Sequence, residues 1–289
     1  MLGRVGKLLI MDYHAAMLKP YQMKNPYIEL HNEFRKAGAD VLLSSGQACV
    51  VFGIAAFSKD GDWIVRETEV SCTAILDVLK RHGAQYRLGV PLHPNWLALG
   101  LTSHFEFLTD SGFRMRTDFC SRPPRVSDRE RMWNRAMRIE NIDVVDVESL
   151  VQLKQTRRLR DYSIIGALAE VAGLEGNSPE LALTYLQDYE LLARAVKRWP
   201  VESVSCGRRA VQLLVKNAAR SEVVSALAIE QDDRMQEDQR RIDHMQSLAA
   251  NYVRDFTTLR AEWRKTKIPL LEQHRQLLIL AEGMLEAKS

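Results

Sequence analysis

The scarcity of helix-breaking residues in the last third of the chain constrains its fold more than any other feature. Across residues 208–289 only Pro269 and Gly283 interrupt the sequence. Because proline and glycine are the strongest breakers of regular structure, this stretch is predicted to form long helices. One set of apolar residues recurs at spacings of three or four, which is typical of a helix face that packs against a core or a partner. The set comprises Met245, Leu248, Tyr252, Phe256, Leu259 and Trp263.

The preceding residues carry a different pattern, in which short apolar runs alternate with helical segments. We therefore predict an α+β fold with a mixed α/β sheet, followed by an all-helical C-terminal domain. Two domains agree with the chain length of 289 residues, since one domain takes about 150. The predicted segments are an N-terminal extension (1–26), a mixed domain (27–172) and a helical domain (180–289). Within the mixed domain, the predicted helices cover 27–36 and 71–82, and the predicted strands cover 41–43, 63–65 and 143–147.

A β-hairpin is predicted around the turn Asp110-Ser111-Gly112. Its strands cover 104–108 and 113–120, and the second strand alternates between apolar and polar residues. Because successive side chains of a strand point to opposite faces, Asp118 is placed on the polar face. Arg114, Arg116 and Cys120 share that face.

Composition excludes several classes of protein. The chain is 46% hydrophobic and 27% charged, which are ordinary globular proportions. No run approaches the ~18 apolar residues of a membrane span, and the start of the chain lacks the apolar core of a signal peptide. We therefore expect a cytoplasmic protein with no membrane partner. The four cysteines and seven histidines, His104 included, lack metal-ligand spacing and are interpreted as structural.

Positive charge is concentrated locally although the net charge is only +3. Residues 114–138 contain eight arginines against three acidic residues. Such a cluster can bind phosphate. It can equally be a solvated face of helices and strands, and the two interpretations stay open.

The most informative stretch lies between residues 44 and 65. Asp60 and Asp62 stand two apart at the entry to a predicted strand, so both carboxylates point to one face. Paired carboxylates repel each other unless a cation joins them, and Mg²⁺ prefers oxygen ligands. The turn at Gly46 opens a helix and offers backbone N–H groups for a phosphate. Asp118 could complete a set of three carboxylates.

These motifs, in this order, resemble the nucleotidyltransferase superfamily with its polymerase-beta-like fold. The closest resemblance is to the AbiEii-type toxin and minimal nucleotidyltransferase branch, and it spans about residues 27–171. That branch has a GG-x-A turn, a later glycine and a T-K-D-x-D motif, followed by a helix that carries a lysine, an arginine and a basic-Asp pair. The matching residues are Ser45-Gly46-Gln47-Ala48, Gly53, Ser58-Lys59-Asp60-Gly61-Asp62, Lys154, Arg158 and Arg160-Asp161.

The resemblance implies an Mg²⁺-dependent transfer of NMP from an NTP to a hydroxyl of RNA or protein. Asp60, Asp62 and Asp118 would be catalytic and would bind two Mg²⁺ ions, and Asp118 would help to deprotonate the acceptor. The implied phosphate-binding residues are Ser45, Gly46, Lys59, Lys154 and Arg158. The implied partners are an NTP, tRNA or a protein acceptor, and an antitoxin.

Less specific interpretations stay open beside these. Asp60 and Asp62 can belong to a solvated loop, and Asp118 can form an ion pair with Arg114 or Arg116. Lys154 and Arg158 can lie on a solvated helix face. Because Ser45 replaces a glycine of the family pattern, the alternative function is a catalytically degenerate binding or interaction protein on the same fold.

Overall fold

A computed structural model describes residues 25–286 of the chain. Nearly all of the predicted N-terminal extension, 1–26, lies outside these residues. The described residues divide into two compact units. The sheet unit comprises 25–51, 56–146 and 244–286, and the helical unit comprises 52–55 and 147–243. Among the described helices, none is both long and apolar enough to cross a membrane.

The sheet unit confirms the mixed α/β architecture that the sequence predicts. The predicted helices and strands are present to within a few residues, and strands β3 and β6 are additions. Its elements before the C-terminal helices are α1 (Pro26–Lys36), β1 (Val41–Ser44), α2 (Ser45–Val51), β2 (Gly61–Val65), α3 (Glu69–Arg81), β3 (Gln85–Gly89), α4 (Pro94–Ala98), β4 (Ser103–Leu108), β5 (Arg114–Cys120), α5 (Arg129–Asn134), β6 (Met137–Ile139) and β7 (Ile142–Val144).

Seven strands form one mixed sheet in the order β3-β4-β5-β2-β1-β7-β6. The predicted hairpin of β4 and β5 is antiparallel, and β2 runs parallel to β5 but antiparallel to β1. Strand β7 is parallel to β1 and antiparallel to β6. Strands β2 and β5, which carry the predicted catalytic aspartates, therefore lie side by side at the centre of the sheet.

Because side chains alternate between the two faces of a strand, one face of the sheet carries a core of buried aromatic residues. Trp63 of β2 stacks on Phe119 of β5 at a centroid distance of 5.4 Å, and Phe34 of α1 meets both rings edge-on. Phe105 of β4 extends the cluster, and all four side chains are buried. The apolar half of each strand thus faces this core, which leaves the acidic residues at the intervening positions on the other face.

The last helices of the chain pack onto the sheet unit at its β3 edge. They are the second part of α12 (Arg220–Thr266) and α13 (Leu270–Glu286). The side chain of Gln273 accepts a hydrogen bond from the backbone N–H of Tyr86 at 3.0 Å, which satisfies a donor of the edge strand. The hydroxyl of Tyr252 donates to the carbonyl of Gly89. This division of the chain differs from the predicted segments 27–172 and 180–289, because side chains between Tyr252 and His274 bond to the sheet.

The helical unit has a core of its own. Its elements are α6 (Val147–Lys154), α7 (Leu159–Leu168), a π-helical segment (Ala169–Glu175), α8 (Pro179–Tyr185), α9 (Tyr189–Arg198), α10 (Pro200–Ser205), α11 (Arg209–Val215) and the first part of α12. Buried aliphatic residues of these helices, such as Leu186, Leu192 and Val211, form one cluster. The π-helical segment approaches α8 closely at Gly173, where a Cβ would lie 2.7 Å from the backbone nitrogen of Ala182.

Candidate functional site

The central strands bring two of the predicted catalytic aspartates together. Asp62 of β2 and Asp118 of β5 are register partners in a parallel pair, and neighbouring strands lie about 4.8 Å apart. Asp60 precedes β2 by one residue and takes the same face as Asp62, because Gly61 between them is buried. A row of residues therefore crosses the sheet from Ser44 through Asp62 and Asp118 to His104.

The predicted phosphate-binding turn flanks this row. Ser44 pairs with Asp62, and the hydroxyl of Ser44 donates to the carbonyl of Asp62 at 3.2 Å. Ser45, the first residue of α2, has a φ of 48°, a conformation that favours glycine. A Cβ at Gly46 would lie 2.2 Å from the hydroxyl oxygen of Ser58, so the turn and the loop before β2 need a glycine to meet this closely.

Buried polar side chains hold the loop that carries Lys59 and Asp60. The amide of Gln47 donates to the carbonyl of Ser58 at 3.0 Å and accepts from Asn25 at 2.9 Å. The hydroxyl of Tyr27 donates to the carbonyl of Lys59, and burial raises the pKa of Tyr27 to about 12. The side chain of Lys59 is exposed.

Asp118 contacts His104 of the adjacent strand β4 and Arg87 of β3, one strand further, rather than the arginines of its own strand. Its Oδ1 lies 2.7 Å from Nδ1 of His104 and 2.9 Å from Nη2 of Arg87. Burial disfavours the ionised form, but the hydrogen bond from His104 and the charge of Arg87 outweigh it and hold the pKa of Asp118 below its usual value. Arg116, the other candidate partner, lies 3.9 Å from Oδ1 of Asp60 instead.

The donor chemistry of Asp60 and Asp62 fits a magnesium ion that a nucleotide shares. Oδ1 of Asp60 is buried and makes no hydrogen bond. Mg²⁺ is commonly held by one or two carboxylates together with substrate phosphates. In contrast, Oδ1 of Asp118 already contacts His104 and Arg87. Within residues 25–286, no three His, Cys, Asp or Glu side chains are grouped to hold a metal. Magnesium binding by Asp60, Asp62 and Asp118 stays a prediction, and so does the number of ions.

Lys154 and Arg158 belong to the helical unit, where both approach one buried carboxylate. Nζ of Lys154 lies 3.7 Å from Oδ1 of Asp161, and the guanidinium of Arg158 lies 2.8 Å from Oδ2. Thr156 also donates to Oδ2 of Asp161. The side chain of Lys154 is only 6% exposed, so this lysine is not part of a solvated helix face. Phosphate binding by the two residues stays a prediction.

Most of the arginine cluster at 114–138 is paired with carboxylates. Arg122 and Arg129 both bind Glu67, and together they lower the pKa of Glu67 although its burial acts the other way. Three further arginines lie within 4 Å of a carboxylate oxygen, namely Arg116 with Asp60, Arg135 with Asp146 and Arg138 with Asp143. Nearby carboxylates therefore offset part of the positive charge that the sequence concentrates at 114–138.

Sequence reasoning missed His104 and Arg87, the partners of Asp118. The signal for His104 was available. Next to the hairpin turn, Thr109 pairs with Phe113. Five residues further from the turn on each strand, His104 is opposite Asp118. No comparable signal existed for Arg87, because strand β3 was not predicted.

Comparisons with known proteins add no family to this description. No protein-family model matches the chain, and no curated protein matches it.

Proposed function

We propose that the chain is a nucleotidyltransferase that transfers NMP from an NTP to a hydroxyl of RNA or protein. The observation that supports this most is the pairing of Asp62 with Asp118 on adjacent parallel strands, with the Ser44–Gly46 turn beside Asp62. Ser44, Asp62 and Asp118 thereby lie side by side on the neighbouring strands β1, β2 and β5. The resemblance to AbiEii-type toxins supports the same reaction and an antitoxin as a partner.

Several residues on the side of the sheet that carries Asp62 and Asp118 would bind different parts of the nucleotide. Asp60 and Asp62 would hold an Mg²⁺ ion that arrives with the triphosphate. When bound, the ion supplies charge neutralisation and polarisation at the phosphates. The backbone N–H groups at the start of α2 lie beside these carboxylates and suit a phosphate oxygen. Lys59, exposed on the adjoining loop, adds a mobile positive charge.

Labelled NTPs test this function. We expect the purified chain, with Mg²⁺ and total tRNA or cell extract, to label an acceptor from at least one of the four NTPs. Asp60→Asn and Asp62→Asn should each lower the rate at least about 100-fold, a loss that corresponds to about 2.7 kcal/mol of transition-state stabilisation. Asp110→Asn is the matched control, because Asp110 is exposed in the hairpin turn. Absence of both labelling and NTP binding would refute the proposal.

One observation favours a second candidate, a nucleotide-binding module without turnover. Asp118 is engaged by Arg87 and His104, so the Arg87 guanidinium already pairs with the carboxylate that the resemblance assigns to a metal. Calorimetry separates the two functions. Saturable binding of Mg²⁺ and NTP, with no labelled product from any acceptor, would support the binding module and count against the enzyme.

A further inference from the structure

A hydroxyl, an imidazole and a carboxylate form a connected chain at the edge of the candidate site. Oγ1 of Thr102 lies 2.8 Å from Nε2 of His104, and Nδ1 of the same ring lies 2.7 Å from Oδ1 of Asp118. Because Nδ1 faces a carboxylate, the tautomer of a neutral ring that fits this contact has its proton on Nδ1. Nε2 is then an acceptor, and the Thr102 hydroxyl donates to it.

The backbone holds this chain in place. Thr102 and His104 are two residues apart at the entry to β4, and the carbonyl of Thr102 accepts from the N–H of Val90 at 3.0 Å. Gly89 permits this approach, because a Cβ there would lie 2.1 Å from the carbonyl oxygen of Thr102. Thr102 is partly exposed.

The chemistry of the three groups is that of an activated nucleophile. A neutral imidazole that accepts a hydroxyl proton raises the nucleophilicity of the oxygen, and a carboxylate on the other ring nitrogen orients the ring. Arg87 binds Asp118 from the side of β3, which helps to keep the carboxylate ionised. His104 also stands in the row that contains Asp62, two strands away. The hydroxyl therefore lies on the face proposed to bind the NTP.

We propose that Thr102 is a site of self-nucleotidylation, with His104 as general base and Asp118 as the residue that positions it. This inference rests on the proposed function, which supplies the NTP. Oγ1 of Thr102 attacks the α-phosphorus, and its proton passes to Nε2 of His104. The bond between the α-phosphorus and the bridging oxygen breaks, and pyrophosphate leaves with the electron pair. The product is a phosphodiester of Thr102 with NMP, and the imidazolium returns its proton to solvent.

Intact-mass measurement after incubation with each NTP and Mg²⁺ tests the proposal. We expect wild type to gain one NMP per chain, which peptide mapping places on Thr102. Thr102→Ser keeps the hydroxyl and should still be modified, whereas the nearly isosteric Thr102→Val should not. His104→Gln should slow the modification about 100-fold, since general base catalysis contributes on the order of 10² or more. Thr73→Val, on the exposed side of α3, is the matched control.

Two further measurements distinguish a failure of self-nucleotidylation from a failure of the proposed function. Thermal unfolding establishes that each variant is folded, and calorimetry measures its NTP binding. If wild type labels an added acceptor while Thr102 stays unmodified, self-nucleotidylation is wrong and the proposed function stands. Modification that persists in Thr102→Val also overturns the inference. If wild type does not bind NTP, the proposed function fails and the inference fails with it.

Discussion

At the scale of single residues, the candidate site depends on positions that tolerate only one side chain. Gly61 lies between the two aspartates of the D-x-D motif. A Cβ there would lie 2.5 Å from both the Trp63 and Tyr27 rings. The family resemblance alone offers no reason for a glycine at this position. The structure supplies one, because the two buried aromatic rings fill the space that a larger residue would need.

Gly61→Ala is therefore expected to destabilise the chain by about 1–3 kcal/mol, the usual cost of overpacking a buried site. Urea unfolding at neutral pH measures the change in the free energy of unfolding. Gly207→Ala is the control, since no atom lies within 4 Å of a Cβ at Gly207. Equal stability of the two variants would show that the aromatic rings move aside without cost.

At the scale of elements, the Tyr86 hydroxyl contributes to the docking of α13 on the edge strand β3, together with the bond from the Tyr86 N–H to Gln273. The hydroxyl of Tyr86 accepts from the N–H of Leu92 at 2.9 Å and lies 2.7 Å from Nδ1 of His274. Because the phenol proton points to His274, Nδ1 is an acceptor. Burial raises the pKa of Tyr86 well above its usual value and lowers the pKa of His274 to about 4, so both groups are neutral at pH 7.

Tyr86→Phe leaves a buried N–H and an imidazole nitrogen without this partner, and we expect a loss of about 1–3 kcal/mol in the free energy of unfolding. Hydrogen exchange should show faster opening of α13 than of the central strands. Tyr189→Phe is the comparison, because the Tyr189 ring keeps its contact with Arg220 without the hydroxyl. A loss of stability no larger than in Tyr189→Phe would contradict the role given to Tyr86.

Some of the helices and strands could be predicted from the sequence, and others could not. Helix α1 and strand β5 have strong periodic patterns and end at clear turn residues, so their bounds follow from local chemistry. Strand β3 has the pattern exposed-buried-intermediate-exposed-intermediate and a register shift between Tyr86 and Leu88. Its stability comes from pairing with β4 and from the side chain of Gln273. Such distant partners leave no periodic signal in the strand itself.

At the scale of the whole molecule, the buried His31 and the half-buried His274 couple stability to pH. Burial lowers the pKa of His31 and of His274 to about 4, from an ordinary 6.5. His31 lies in the core, where Trp63 donates to Nδ1 at 3.3 Å and the N–H of Asp143 approaches Nε2 at 3.2 Å. Between pH 6.5 and pH 4 the unfolded chain therefore binds more protons than the folded chain.

Stability should consequently rise with pH through this window and fall as the pH drops from about 6.5 towards 4. Each histidine can contribute up to about 3 kcal/mol, at 1.36 kcal/mol for each pKa unit. Denaturant unfolding at a series of pH values measures the slope. His274→Gln should remove about half of it, whereas His244→Gln should leave it unchanged because His244 is exposed. A flat profile between pH 4.5 and 6.5 would contradict the burial argument.

The sequence by itself determined most of the strands and helices, though not β3 and β6, together with the polar face of β5 and the candidate aspartates, because these follow from periodicity and from spacing along one segment. Only the tertiary structure decided what each charged group contacts. It paired Asp118 with His104 and Arg87, directed Lys154 to Asp161, and placed at least five of the eight arginines at 114–138 within 4 Å of a carboxylate oxygen. The physical reason is that ion pairs join residues by distance in space, and strand pairing brings together groups that the sequence keeps far apart.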